Sequence, residues 1–210
     1  MHVNNPALSA AGSGGVIPEV HDAEKDRHTV RGFTNDLIAA HRHVLGAMRG
    51  HPDEKSILEV PGASGAVQEV CVMLEANMKI LESRVEALGG AGAAGHLKEA
   101  LTTASGFLAG LYGQVRTETA SRMLRDDVTA VHFLETCTAM LHATALALRD
   151  IETARTVRGL LRAFPPALLR LQPYVSAAVV NDLARESLVV DVVAADIANR
   201  EWRESWRHVG

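Results

Sequence analysis

A few imidazoles and carboxylates are spaced so that they could share an ion. His132-x-x-Glu135 places a ring and a carboxylate on one face of a helix, because residues three apart lie one above the other. His142 follows Glu135 by seven residues and falls on the same face. Two further donors come from other segments: His41 keeps the spacing of an apolar stripe, and Glu75 flanks another. Imidazole and carboxylate together suit zinc, iron or manganese. His41, Glu75, Glu135 and His142 are therefore the candidate metal ligands. His41 and His142 could also face each other across a haem, although the chain has no Cys-x-x-Cys-His for covalent attachment.

The competing reading is a structural one. A histidine at a helical seam is more often a hydrogen-bonded core residue than a ligand, and a glutamate beside a seam is more often solvated. The standard carboxylate di-iron bundle uses Glu-x-x-His on two helices. No Asp or Glu in this chain is followed by His three residues later. The leading expectation is therefore that no cofactor is bound, with iron, manganese or zinc as the alternative.

Other chemistries find little support. Cys71 and Cys137 lie in apolar helical stretches, where a thiol stays protonated. Their number and placement suit small core residues of a reducing compartment, and so a cytoplasmic protein. The chain contains no Gly-x-Ser-x-Gly and no phosphate-binding loop after a strand. The net charge of −4 gives no global basic field for nucleic acid. No secretory leader and no apolar run long enough to span a bilayer are read.

The elements that would hold these donors are helices. Apolar residues make up 47% of the 210 and aromatics only 4%, a balance that favours close-packed helices over sheets. Val67, Cys71, Leu74, Met78, Leu81, Val85 and Leu88 alternate steps of four and three, the seam of a long helix packed nearly parallel to others. Ser64 is expected to cap it. A first helix is predicted from Thr29 to Met48, with Val30, Phe33, Leu37, Val44 and Met48 as its stripe. A third is predicted from His96 to Leu124, interrupted by Gly106, Gly110 and Gly113. Asp126 or Asp127 is expected to cap a fourth reaching Arg149, with Val131, Leu134, Thr138, Leu141, Ala145 and Leu148 along its seam. A fifth, Ile151 to Ala163, should stop at Pro165-Pro166, and Pro173 should divide the stretch beyond. Further helices are predicted over Val175–Arg185 and Val190–Trp206. Residues 1–27 read as a flexible tail, 28–186 as the bundle and 187–210 as a C-terminal amphipathic extension.

Two surfaces suggest partners. Trp202 and Trp206 stand one turn apart beside arginines, the residue types favoured at interface centres. Gly106 and Gly110 would let another backbone approach closely.

The run Asn35 to His41, the seam from Leu74-Glu75 through Leu81-Glu82 to Leu88-Gly89-Gly90, and Leu124-Arg125-Asp126-Asp127 through Glu135 together resemble the ferritin-like superfamily, closest to its YciE-type stress proteins. The resemblance covers about residues 29–180 and implies an all-α, up-and-down four-helix bundle, often dimeric, with a di-iron-type site. Carried over by position, the first-helix carboxylate falls on His41 and the second-helix ligands fall near Glu69 and Val70. Glu135 is retained, while Arg162 and Phe164 replace the last carboxylates. The resemblance thus implies the fold and a stress-linked, bacterial, non-enzymatic scaffold that has lost its metal set. A homodimer or a protein partner at the C-terminal helix is expected.

Overall fold

The computed structural model describes residues 22–90 and 119–207. All regular structure among them is helical. The candidate glycines Gly106 and Gly110, and most of the expected third helix, lie outside the described residues.

Helix α1 spans Ala23–Met48. It starts inside the stretch read as a tail, because the Asp22 carboxylate accepts the backbone N–H groups of Glu24 and Lys25, both at 3.1 Å. Val30, Leu37, Val44 and Met48 are buried as the stripe requires, but Phe33 is largely exposed and Thr34 takes the interior position. Thr34 can do so because its hydroxyl donates to the Val30 carbonyl at 2.7 Å.

A short turn, His51–Asp53, and helix α2, Lys55–Leu58, lead to α3, Ala63–Ala87. Gly62, not Ser64, is the residue before α3, at φ 87°. Only glycine suits that position: a Cβ there would stand 2.8 Å from the Tyr174 hydroxyl, besides requiring a left-handed backbone. The α3 seam faces inward as its spacing predicts, with Met78 half-buried between two groups of core side chains.

Helix α4 runs Ala120–Ala147, so it starts before the expected Asp126 or Asp127 cap. Its first turn is stabilised from a distance, where the Asp182 carboxylate accepts the Ser121 N–H at 3.0 Å. Asp127 is thereby drawn into the helix and fully buried. Helix α5 covers Ile151–Leu161 and α6 covers Phe164–Arg185. Pro165 and Pro166 open α6 instead of ending α5, since a first turn needs no amide hydrogen from them. Pro173 likewise lies within α6 and does not divide it.

The ends of α4 and α6 share a device. Asp150 N–H donates to the Ala145 carbonyl at 2.8 Å, and Arg149 N–H to Leu146 at 3.2 Å. Ser187 and Leu188 close α6 in the same way onto Ala184 and Leu183. This closure puts Arg149 at φ 57° and Ser187 at φ 62°, where glycine is the usual choice. The last helix, α7, is Ala194–Arg207, shorter than expected. β-Branched Val189, Val190, Val192 and Val193 disfavour helix, and the Asp191 carboxylate accepts the Val193 N–H at 3.0 Å to make a turn.

Helix α1 packs on α3 and α4; α4 packs on α5 and α6; α3 also packs on α6; α7 lies on α6. Side chains fix the directions. Arg42 of α1 meets Glu82 of α3 at 2.6 Å, and Arg31 reaches the Gly89 carbonyl at 3.3 Å, so these helices are antiparallel. Arg84, near the end of α3, binds Asp150, just past the end of α4, so α3 and α4 point the same way.

Candidate functional site

The four candidate ligands are placed on three helices with separate local partners or environments. His41 is fully buried on α1. Its Nδ1–H donates to the Leu37 carbonyl at 2.9 Å, and its ring lies tilted at 58° to that of Phe164, centroids 6.4 Å apart. Burial takes its pKa down to about 4, against a smaller upward pull from the Leu37 bond. The ring is therefore neutral, and its buried Nε2 finds no hydrogen-bond partner among the described residues. Glu75 is held by Arg49, with Nη2 at 2.8 Å and Nε at 3.3 Å. Glu135 stays on its own helix, 3.3 Å from His132. His142 is half-buried, and its Nδ1 has no partner among the described residues. Among the described residues, no three His, Cys, Asp or Glu side chains are grouped to hold a metal ion.

A different polar centre forms where the sequence suggested none. His51, just past α1, places Nδ1 2.9 Å from Oδ1 of Asp127 on α4, and both side chains are buried. The Cys71 thiol feels this centre. Burial is the main cause of its rise to about 11, and the charges of Asp127 and Glu75 add to it against Arg49. Such a thiol is a proton-bearing core group, not a nucleophile. Cys137 is also pushed up by burial.

No protein-family model, curated protein or solved structure matches this chain. What the chain can do must be read from its own surfaces.

Among the described residues, exposed aliphatic side chains follow one another closely at the end of α6 and beyond it. The first half of α6 turns one face inward, with Phe164, Ala167, Leu168 and Leu171 buried, while Leu169 on its other face is exposed. Further along, Val179 and Leu183 come to the surface. Beyond the Ser187 cap, Leu188, Val189, Val192 and Val193 are all exposed, Val189 fully. Ile197 on α7 is also exposed. Isolated exposed apolar residues are ordinary, but a continuous run is a contact surface in waiting.

Trp202 is half-buried on α7. The adjacent Arg203 donates to the Leu169 carbonyl of α6 at 3.5 Å. The helix is thus docked on its own chain. The Trp206 side chain lies outside the described part.

The sequence carries signals for both missed features. Asp127 stands four residues before Val131 and so continues the α4 seam backwards. Leu188–Val193 is an apolar, β-branched run that a purely helical reading absorbs into the last helix.

Proposed function

We propose that this chain is a non-enzymatic helical scaffold that pairs with a second copy through the surface from Val179 to Ile197. The observation that carries the reading is the exposed run Leu188, Val189, Val192 and Val193. Leaving large aliphatic side chains in water forgoes about 1.5–3 kcal/mol each relative to full burial, so covering them drives association. Charge favours a two-fold partner. From Asp191 onward the acidic Asp191 and Asp196 come first, and Arg200 and Arg203 follow just beyond Ile197 with Glu201 between them. An antiparallel copy sets each acidic half beside the other's basic half, the self-complementary pattern of a two-fold contact.

For the body of the protein, we propose a ferritin-like four-helix bundle. The supports are the antiparallel α1–α3 pair, the shared direction of α3 and α4, and a fourth column built from α5 and α6 in succession. A connection between two parallel helices must travel the length of the bundle. The 32 residues from Leu88 to Thr119, between the end of α3 and the start of α4, are long enough for that.

Sedimentation velocity over a range of protein concentrations tests the scaffold. The native chain should sediment as a dimer. The double variant Val189→Asp/Val192→Asp should sediment as a monomer with unchanged helical circular dichroism. A native chain that is monomeric at every concentration overturns the proposal, as does a double variant that still dimerises.

A further inference from the structure

The start of α1, the end of α3 and the joint between α4 and α5 meet at one end of the molecule. Two grooves of about 500 and 520 Å³ lie there, and both are lined by Ala23, Arg27 and Leu88. The floor of the first is apolar, made by Val30, Ala87, Leu88 and Leu148. Its rim is basic. Arg27 and Arg149 line the first groove, and Arg27, His28 and Arg31 the second. Arg27 and Arg31 are one helical turn apart on α1 and so share a face.

The arginines at this end differ in what they already hold. Arg84 is committed to Asp150, with Nη2 at 2.8 and 3.0 Å from its two oxygens, and to the Thr153 hydroxyl at 2.7 Å. Arg31 gives one bond to the Gly89 carbonyl at 3.3 Å. Arg27 and Arg149 form no ion pair or side-chain hydrogen bond among the described residues. Arg149 also stands at φ 57°, a backbone position that is strained for a non-glycine residue. A glycine there would close α4 without that strain.

From this geometry we infer a binding site for a heterocyclic phosphate of the nucleotide type. Guanidinium groups suit phosphate because they donate in parallel pairs. An apolar floor with a few polar groups at its edge suits a planar ring. Glu24 and Asp26 stand on the same rim and keep its net charge small. A bare anion therefore binds weakly, and a ligand must use the floor as well as the arginines. The chain has no acidic segment of its own to fill the rim. Residues 1–21 carry one carboxylate, Glu19, and residues 91–118 balance Glu99 and Glu118 with Lys98 and Arg116.

The test is titration calorimetry of the full chain with ADP, inorganic pyrophosphate and adenosine. ADP should bind saturably and weaken with added salt. Pyrophosphate and adenosine should each bind at least about tenfold more weakly, a factor worth 1.4 kcal/mol. Arg149→Gly should lower ADP affinity by a similar factor while the fold is kept or stabilised. Arg27→Gln should do the same. Arg155→Gln, on α5 and paired with Glu152, should leave the affinity unchanged. No saturable ADP binding overturns the inference. So does equal binding of pyrophosphate, an affinity unmoved in both groove variants, or an equal loss in Arg155→Gln.

Discussion

Two polar pairs stand about 35 Å apart along α4, taking 1.5 Å per residue, and they are built in opposite ways. His51 and Asp127 are joined by tertiary structure alone, 76 residues apart in sequence and buried. Asp150 begins as a local cap, accepting the Thr153 N–H at 2.9 Å and hydroxyl at 2.8 Å, and only then recruits Arg84 from α3. The first pair depends on the whole array being assembled. The second is half made as soon as α5 forms. The comparison teaches that the same chemistry carries different energies: a buried pair is costly to break, whereas a partly exposed one is a modest addition to a helix cap.

The sharpest way to break this comparison is Asp127→Ala. It leaves His51 in a buried site without its carboxylate and should cost about 3–5 kcal/mol in urea unfolding. Asp127→Asn, which still offers an oxygen to Nδ1, should cost less. A loss below about 1 kcal/mol in the alanine variant would mean the centre is not sealed.

The next largest effect concerns His41, another buried polar group of this interior. Its folded pKa is about 4 against 6.5 in the unfolded chain. The unfolded state therefore takes up a proton first as pH falls. The neutral ring's contribution is complete above 6.5, declines between 6.5 and 4, and is flat below. The difference amounts to roughly 3 kcal/mol at 1.36 kcal/mol per unit. Unfolding free energy measured from pH 7.5 to 4 should show this slope, and His41→Leu should flatten it. An unchanged slope in that variant would show that another group titrates.

The smallest effect belongs to the other end. Asp150→Ala should cost about 1–2 kcal/mol, as for other N-cap losses. Burial alone would raise the Asp150 pKa, but the Thr153 bonds and Arg84 outweigh it and hold it below 3.8. Its stabilising share is therefore present above 3.8 and is lost as pH falls through the lower folded value. Arg84→Met should shrink that acid-labile share. If Asp150→Ala costs as much as Asp127→Ala, the contrast between the two ends fails.

The helices were legible because apolar spacing is a local signal. The α3 seam and the Val131–Ala145 stripe fell where their periods placed them. Boundaries were less legible wherever a distant residue sets them. Asp182 fixes the start of α4, which no reading of residues 119–127 alone could supply. Prolines misled in the opposite direction, since Pro165 and Pro166 suit a first turn as well as they oppose a last one. Of the candidate ligands, the inward direction of His41 followed from its spacing. The Arg49 partner of Glu75 comes from a residue 26 positions away and was not visible in either residue's own stretch.

Pro173 has one more effect on the architecture. A proline within a helix leaves the carbonyl four residues earlier, here Leu169, without its customary amide. That oxygen is the one Arg203 reaches from α7. The flaw thus marks a single point on the flank of α6, and the terminal helix engages it like a latch in a notch. Sliding α7 by one turn would move the guanidinium about 5 Å from its oxygen. The imperfection in one rod thus offers the next a point of contact.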